Sequence, residues 1–457
     1  MEPGIENSPG PRRTLGVLDA TCLIVGVIIG AGLYEMAPLV ATSVSTGPQL
    51  LLLWLTGGLV SLFGALAYSE LATTYPEDGG DVGYLRRAYG DWAGFVFGWM
   101  QLLIVRPGDI ALMAFVFARY ANALLGIDET HAMGRPQIGA SLAVVLFTGI
   151  NWLGLREAAG TQNLLTIGKV LGFSFIILIG LLGPASSTGE PAIAGTSLAA
   201  PASPLESIGL GVALVMVLFC YGGWNEMAYI TAEVRDPRRN ILRAMLLGLG
   251  TVIALYLLAN ASFLHSLGIE GLQRSTAVAV EVVAQRMPRV ASQAISLLVA
   301  VSALSAMNGL MLAGSRIAFT LGRHYPWFRW LGRWNAARQT PVPALLTQSA
   351  ITLVLINVLG DFANTLIYTA PTVYTFYGFT SVAVIVLRKK DPGTSRAFPL
   401  WGYPWTVIIF VAACLFMTHS AVLYRPYVAA TSLGLLLLGL PVHWCTQHWA
   451  RRRNGID

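Results

Sequence analysis

Long apolar segments that recur along the whole chain constrain its fold more than any other feature. A hydrocarbon core about 30 Å thick needs roughly 20 apolar residues per helix. Only 11% of the 457 residues are charged, against roughly 25% in an ordinary soluble domain. The sequence therefore predicts an all-α polytopic membrane protein and excludes a soluble enzyme of this size. The twelve predicted spans are 16–38, 48–74, 92–125, 138–156, 162–183, 207–234, 240–266, 292–322, 343–360, 364–387, 403–424 and 427–447.

Basic residues are distributed unequally between the two sides of these spans. Twenty of the 29 Lys and Arg residues lie in the two tails, in the loops on the same side or at the span ends that adjoin these loops, and five lie in the loops opposite. Because Lys and Arg are enriched in cytoplasmic loops, both termini are predicted to lie in the cytoplasm. The net charge of +6 is then a mark of topology and gives no indication of nucleic-acid binding.

Two of the predicted spans carry glycine clusters near their middle. Span 1 contains Gly26, Gly30 and Gly32, and span 6 contains Gly222 and Gly223. Gly30 and Gly222 are 192 residues apart, and the same offset carries the start of span 1 onto the start of span 6. Spans 1 to 5 and 6 to 10 are therefore predicted to be two structural repeats. Because five is an odd number, the second repeat is inverted relative to the first.

An unwound turn at each glycine cluster would provide a binding site. Backbone groups left unpaired in hydrocarbon are costly unless a ligand or water satisfies them. A zwitterion can do so, because its carboxylate accepts from N–H groups that open a half-helix and its ammonium donates to carbonyls that end one. Close helix packing is the alternative for either cluster alone. The predicted substrate contacts are Ile28, Gly30, Ala31, Gly32 and Leu33 in span 1 and Phe219, Cys220 and Gly222 in span 6.

The sequence contains no pattern typical of an enzyme. Its six histidines are scattered and form no HExxH or similar motif. Its four cysteines show no CxxC spacing. We therefore predict no catalytic residues, no metal site and no cofactor.

Several motifs resemble those of the amino acid, polyamine and organocation (APC) transporter superfamily, and within it the L-type amino acid transporter group in its bacterial form. The resemblance extends over nearly the whole chain. The matching stretches are Ile28-Ile29-Gly30-Ala31-Gly32, Tyr68-Ser69-Glu70-Leu71 with Pro76 and Gly79-Gly80, Val105-Arg106-Pro107, Phe219-Cys220-Tyr221-Gly222-Gly223-Trp224-Asn225, and Asn308-Gly309 with Ser315-Arg316.

The resemblance implies a 5+5 inverted-repeat core with broken helices 1 and 6, plus two peripheral helices. It implies sodium-independent secondary transport of L-amino acids, with neutral amino acids as the expected substrates. Transport would proceed by alternating access in a cell membrane, and the protein would be an exchanger or a proton-coupled symporter. Spans 1, 2, 6 and 7 would rock against spans 3, 4, 8 and 9. Phe219 would serve as an aromatic gate over the substrate, and Asn225 as a polar group in the pocket wall.

The predicted organisation follows these repeats. Its parts are a cytoplasmic tail (1–13), the first inverted repeat (14–184), an outer loop (185–206), the second inverted repeat (207–390), peripheral helices 11 and 12 (391–447) and a second cytoplasmic tail (448–457).

Lys169 in span 5 would place a charge inside the membrane. Insertion scales assign such a residue a free-energy cost of roughly 2.5–3.5 kcal/mol. The resemblance places it against span 1, where sodium-coupled relatives bind sodium between spans 1 and 8. An ammonium there would replace the ion by donating to carbonyls near Gly26. Ala313-Gly314-Ser315 offers one hydroxyl where sodium-coupled relatives are expected to present two. Lys169 would either exchange a proton during the cycle or stay charged and brace span 5 against span 1.

Asp109 and Glu226 are candidate specificity residues, because a carboxylate that faces the pocket would favour a cationic side chain. Arg106 and Asp109 are three residues apart and share a helix face. The expected arrangement is therefore a structural pair between those two residues, with a pocket-facing Asp109 as the alternative.

Other functions stay open at this point. A cationic amino acid or polyamine transporter on the same fold is the alternative, and a non-transporting amino-acid sensor is a remote one. The expected partners are an amino acid and the lipid bilayer. Animal relatives of the L type carry a disulfide-linked subunit on the outer loop between spans 3 and 4. That loop, Ile127 to Gln137, has no cysteine here, so we predict no such subunit.

Overall fold

A computed structural model describes residues 12–30, 32–76, 80–127, 135–183, 209–275, 277–359, 362–424 and 426–453. These residues are almost entirely helical, which confirms the all-α prediction. Within the described ranges, seven helices are long and apolar enough to cross a membrane by length and composition, and three shorter helices are also apolar.

The first half of the described chain forms eight α-helices. They are α1 (Val17–Ile28), α2 (Gly32–Ala41), α3 (Gly47–Thr74), α4 (Asp81–Tyr89), α5 (Asp91–Met100), α6 (Arg106–Leu125), α7 (Pro136–Leu153) and α8 (Leu155–Leu182). The second half forms nine. They are α9 (Leu210–Cys220), α10 (Glu226–Tyr229), α11 (Pro237–Arg274), α12 (Val278–Ala284), α13 (Ala291–His324), α14 (Val342–Leu359), α15 (Phe362–Lys390), α16 (Trp405–Tyr424) and α17 (Pro426–Arg453).

Both predicted helix breaks are confirmed. In span 1, α1 ends at Ile28 and α2 begins at Gly32, and in span 6 a turn over residues 221–225 separates α9 from α10. Gly223 lies in that turn with φ of 111°, a conformation that L side chains rarely adopt. A Cβ atom there would lie 2.7 Å from Val27 Cγ1, so glycine also permits the close approach of the two breaks.

A wide turn in span 3 accompanies its internal proline. A π-helical turn, Gln101–Val105, joins α5 to α6 as one continuous span. Pro107 has no N–H to donate to the preceding turn, and the Arg106 N–H donates to the Gln101 carbonyl five residues back. Such turns recur at functional sites, and this one directly precedes the two charges of span 3.

The predicted boundary between spans 4 and 5 is wrong. We expected spans 138–156 and 162–183, whereas α7 and α8 meet at the single residue Gly154. Gly154 has φ of 149°, which allows the abrupt turn. The first two turns of α8 are polar, so the apolar segment of the sequence begins several residues after the start of the helix. The short helix α4 was missed for the same reason.

The broken helices lie at the centre of the bundle. α1 packs against α8, α11 and α13, while α2 and α9 contact each other. α6 packs against α7, α13, α14 and α15. The half-helix ends at Ile28 and Cys220 are buried inside the bundle.

Candidate functional site

A cavity of about 150 Å³ lies where the two helix breaks meet. Its wall is built from the end of α1, the start of α2, the end of α9 with the following turn, and side chains of α6, α11, α13 and α15. Eight residues predicted from the sequence line it: Ile28, Gly30, Gly32, Phe219, Cys220, Gly222, Asp109 and Glu226.

Two predicted contact residues, Leu33 and Asn225, are not on this wall. A third, Ala31, lies outside the described residues. The Leu33 side chain is fully buried in the core, because the second residue of α2 points away from the cavity. Asn225 lies behind the wall, where its Oδ1 accepts a hydrogen bond of 2.6 Å from the hydroxyl of Tyr377, which does line the cavity. Asn225 therefore orients a wall residue rather than forming the wall itself.

The helix ends present complementary backbone groups to the cavity. The first turn of α2 begins at Gly32, so its N–H groups and dipole favour an anion at that end. α1 and α9 end at Ile28 and Cys220, whose carbonyls carry the negative end of their helices. This arrangement matches the two charged ends of a zwitterion.

Tyr256 of α11 ties these two ends together, and sequence reasoning missed it. Its buried hydroxyl lies 3.0 Å from the Ile28 carbonyl oxygen and 3.2 Å from that of Cys220. One hydroxyl proton is thus shared between the last turns of α1 and α9. A tyrosine in an apolar span carries no local signal of this role, because its partners lie 228 and 36 residues away.

Tyr256→Phe is expected to weaken the apparent affinity for substrate about tenfold, since losing one donor to buried carbonyls costs about 1.4 kcal/mol. Tyr221→Phe is the matched control. The Tyr221 hydroxyl is buried without a hydrogen-bond partner among the described residues, and its ring lies 5.1 Å from that of Tyr256. Substrate titrations of both variants check the prediction, and equal affinities would contradict it.

Lys169 makes the contacts predicted for it. Its Nζ donates to the carbonyl oxygens of Gly26 at 2.6 Å and Ile29 at 2.5 Å, and its side chain is fully buried. Ser302 of α13 donates to the same Ile29 carbonyl at 3.1 Å. The ammonium therefore occupies a position surrounded by carbonyl and hydroxyl oxygens, the ligand type that hard cations prefer.

The expected position of the span 8 hydroxyl is wrong. Ser315 bonds to the Leu312 carbonyl within its own helix at 2.9 Å. It lies thirteen residues beyond Ser302, or about 20 Å along the helix axis. The serines of α13 that approach span 1 and span 5 are Ser302 and Ser305, and Asn308 also donates to span 5. Serines recur along this helix, so the sequence left the register ambiguous.

Arg106 pairs with Glu226, and the expected pair with Asp109 is wrong. Arg106 Nη1 lies 2.6 Å from Glu226 Oε2, and both side chains are almost completely buried. Arg106 Nε also donates to Gln101 Oε1 at 2.9 Å, and the guanidinium lies over the Tyr229 ring at 5.0 Å. A partner 120 residues away thus replaces the local one.

Asp109 instead faces the cavity, together with Leu112 and Met113 on the same helix face. Thr369 of α15 forms a hydrogen bond to its carboxylate. Asp109 has no ion-pair partner among the described residues. α15 also contributes Tyr374 and Tyr377 to the wall, which sequence reasoning missed because neither residue belongs to a recognised motif.

A separate set of ion pairs lies near one end of the bundle. Glu70 of α3 accepts two hydrogen bonds, of 2.8 and 2.6 Å, from Arg388 at the end of α15. Glu233, just after α10, accepts from Arg316 of α13 at 2.7 Å. Beyond α15, hydrogen bonds from Arg87 and Tyr75 hold the pKa of the Asp391 carboxyl below its usual value. The Glu70–Arg388 contact joins α3 to α15 at this end, and the Arg87–Asp391 contact joins α4 to the segment after α15.

Comparison with known proteins decides the family. The family model for amino acid permeases matches residues 15–438, nearly the whole chain. The chain belongs to the amino acid permease family. The family lies within the APC superfamily, which confirms the resemblance drawn from the motifs. Its members are transporters rather than enzymes, and this chain is a multi-pass membrane protein.

Relatives from animals and bacteria align over most of their length with this permease. The large neutral amino acids transporter small subunit 2 of Mus musculus is 30% identical over 447 residues, covering 96% of this chain and 82% of the relative. The serine/threonine exchanger SteT of Bacillus subtilis is 28% identical over 443 residues, covering 95% and 97%. The b(0,+)-type amino acid transporter 1 of Mus musculus is 29% identical, covering 91% and 84%.

Proposed function

We propose that this permease is a sodium-independent secondary transporter of L-amino acids that works by alternating access. The observation that carries the proposal is the meeting of two broken helices at one cavity, with N–H groups of α2 on one side and the carbonyls of Ile28 and Cys220 on the other. The substrate carboxylate binds at the start of α2 and its ammonium at the two carbonyls. Phe219 covers the substrate as an aromatic gate.

The position of the Lys169 side chain supports the proposed sodium independence. Its ammonium fills the position between α1, α8 and α13 and satisfies the carbonyls of Gly26 and Ile29. A sodium ion would need those same oxygens. A Lys169 that stays charged would brace α8 against the unwound turn, whereas proton exchange at Lys169 would couple that turn to the transport cycle.

The proposed architecture has twelve transmembrane helices in a 5+5 inverted-repeat core with two peripheral helices. The order of elements supports it, because a broken helix followed by four unbroken spans occurs in 14–184 and again in 207–390. α16 and α17 follow as the peripheral pair. The proposed topology has both termini on the cytoplasmic side of a cell membrane. The ion pairs of Glu70 and Glu233 then lie on that side and form a closed inner gate.

Neutral amino acids are the first proposed substrates, because the cavity wall is mainly apolar and the names of the relatives include large neutral, serine and threonine substrates. The name of the Bacillus relative supports exchange, and proton symport is the other proposed mode. We further propose that no disulfide-linked subunit is attached, since the loop from Ile127 to Gln137 has no cysteine. Residues 128–134 of that loop lie outside the described residues.

A second candidate is the transport of cationic amino acids or amines. It is favoured by one observation, the carboxylate of Asp109 on the cavity wall without an ion-pair partner among the described residues. A non-transporting sensor on this fold is the remaining alternative, and transport assays separate it directly.

Counterflow in sodium-free proteoliposomes tests the proposal. Vesicles loaded with unlabelled alanine or leucine should accumulate the labelled amino acid transiently, and replacing potassium by sodium outside should leave the rate unchanged. Empty vesicles distinguish the two modes, because only a symporter accumulates substrate in them under an inward proton gradient. No accumulation under either condition would contradict transport, and a requirement for sodium would contradict the role of Lys169.

A further inference from the structure

The carboxylate of Asp109 differs from the other charges inside the bundle. Arg106 and Glu226 are almost completely buried and neutralise each other at 2.6 Å. Asp109, one helical turn beyond Arg106, is half-buried because it borders the cavity. Among the described residues, Thr369 donates a side-chain hydrogen bond to it. When ionised, the Asp109 carboxylate therefore places on the cavity wall a negative charge that no described residue pairs with as a salt bridge.

The charged and titratable groups that face Asp109 do not cancel this charge. The nearby charges of Arg106 and Glu226 act on it with opposite signs. α15 contributes the phenol groups of Tyr374 and Tyr377, a side-chain type that carries no charge at neutral pH. α13 contributes Ala306 and Leu310, which are apolar.

The remaining groups around the cavity lead to the same conclusion. The Tyr256 hydroxyl is bonded to backbone carbonyls, and Cys220 presents a thiol. Lys169 is not on the cavity wall, since its ammonium is held by Gly26 and Ile29. When the site closes over a net-neutral zwitterion, an ionised Asp109 would be enclosed without a counter-charge, which costs several kcal/mol.

We infer that each substrate crosses with one positive charge at Asp109, which is a proton when the amino acid is neutral and the side-chain ammonium when it is cationic. This rests on the proposed transport function and names its coupling and substrate class. With a neutral substrate, a proton from the outer solution forms an O–H bond on the Asp109 carboxylate. That bond breaks again when the site opens inward, and the proton leaves to the inner solution. With lysine or ornithine, the side-chain ammonium takes the place of the proton.

Two substrates therefore respond differently to pH. Binding of alanine requires protonated Asp109, so on the alkaline side of its titration the apparent Michaelis constant rises about tenfold per pH unit. Binding of lysine requires the ionised carboxylate, so its constant stays level over the same range. Uptake of alanine carries a proton into the vesicle, whereas uptake of lysine does not.

The experiment measures alanine and lysine kinetics between pH 5.5 and 8 in proteoliposomes that contain a pH-sensitive dye. In Asp109→Asn, the alanine constant should lose its dependence on pH, and inhibition of alanine uptake by lysine should weaken at least about tenfold. Asp109→Glu retains the carboxylate and should keep both responses. Asp109→Ser provides a second neutral variant if the asparagine form does not fold, and thermal unfolding in detergent identifies that case.

Several results would overturn the inference while leaving the proposed function intact. They are a level alanine response in the wild type, no inhibition of the wild type by lysine, or an unchanged alanine slope in both neutral variants. Complete loss of alanine uptake in folded Asp109→Asn would also overturn it, because Asp109 would then hold the α-ammonium. Absence of any amino-acid uptake by the wild type, counterflow included, would instead contradict the proposed function.

Discussion

Lys169→Ala is expected to weaken the apparent affinity for every transported amino acid at least about tenfold. The change removes the donor to the Gly26 and Ile29 carbonyls, and the cost of leaving a buried acceptor unsatisfied is about 1–3 kcal/mol. These carbonyls belong to the last turn of α1 and the break that follows it. Freed from Lys169, the break loses the geometry in which Ile28 and the start of α2 face the substrate.

Substrate titrations at several pH values measure this effect. Ser302→Ala is the control variant, in which a smaller loss of affinity is expected. Ser302 donates a single neutral hydrogen bond, of 3.1 Å, to the Ile29 carbonyl that Lys169 also binds. Its loss should therefore weaken affinity much less. Unlike the asparagine change at Asp109, the alanine change at Lys169 should affect neutral and cationic substrates alike. Wild-type affinity and pH dependence in Lys169→Ala would contradict its role in the site.

Breaking the Arg106–Glu226 pair is expected to cause the largest loss of stability. Both side chains are at least 96% buried at a separation of 2.6 Å. Removing one partner leaves an uncompensated buried charge, which destabilises a protein by about 3–5 kcal/mol. Arg106→Met and Glu226→Leu should each lower the midpoint of thermal unfolding strongly. The double variant should recover much of the loss, because neither charge then remains.

Thermal unfolding in detergent, followed for the four proteins of this cycle, measures the coupling between the two residues. Arg87→Gln is the control, since the Arg87–Asp391 pair has a similar distance of 2.8 Å but is solvent-exposed. Exposed pairs contribute little, so its midpoint should match the wild type. Additive losses in the double variant would show that the buried pair does not act as a unit.

The helix breaks were predictable because their signal is local. Glycines at Gly30 and Gly222 mark them, and the common offset between the two clusters distinguishes paired breaks from ordinary packing glycines. The contact of Lys169 with span 1 followed from the family resemblance, together with the high cost of a charge in hydrocarbon. Both features can be recognised in the sequence, because one is a local pattern of glycines and the other is a charge in a segment that contains few charges.

The polar partners across the bundle were not predictable in the same way. The spacing of Arg106 and Asp109 permits a local pair, yet Glu226 competes for the guanidinium from another helix. The rotation of each helix about its axis decides which of the two carboxylates reaches the guanidinium, and a single sequence does not give that rotation. The same limit explains Tyr256, whose bonds join two distant helix ends, and the register of α13, where Ser302 rather than Ser315 approaches span 1.

The central claim is that the two broken helices hold the two charged ends of an amino acid. A structure of the protein in lipid nanodiscs with bound L-alanine tests it most directly. We expect density in the cavity, with the carboxylate within hydrogen-bonding distance of N–H groups at the start of α2. The ammonium should face the carbonyls of Ile28 and Cys220. Alanine bound elsewhere in the bundle, or in this cavity with its two ends reversed, would contradict the account.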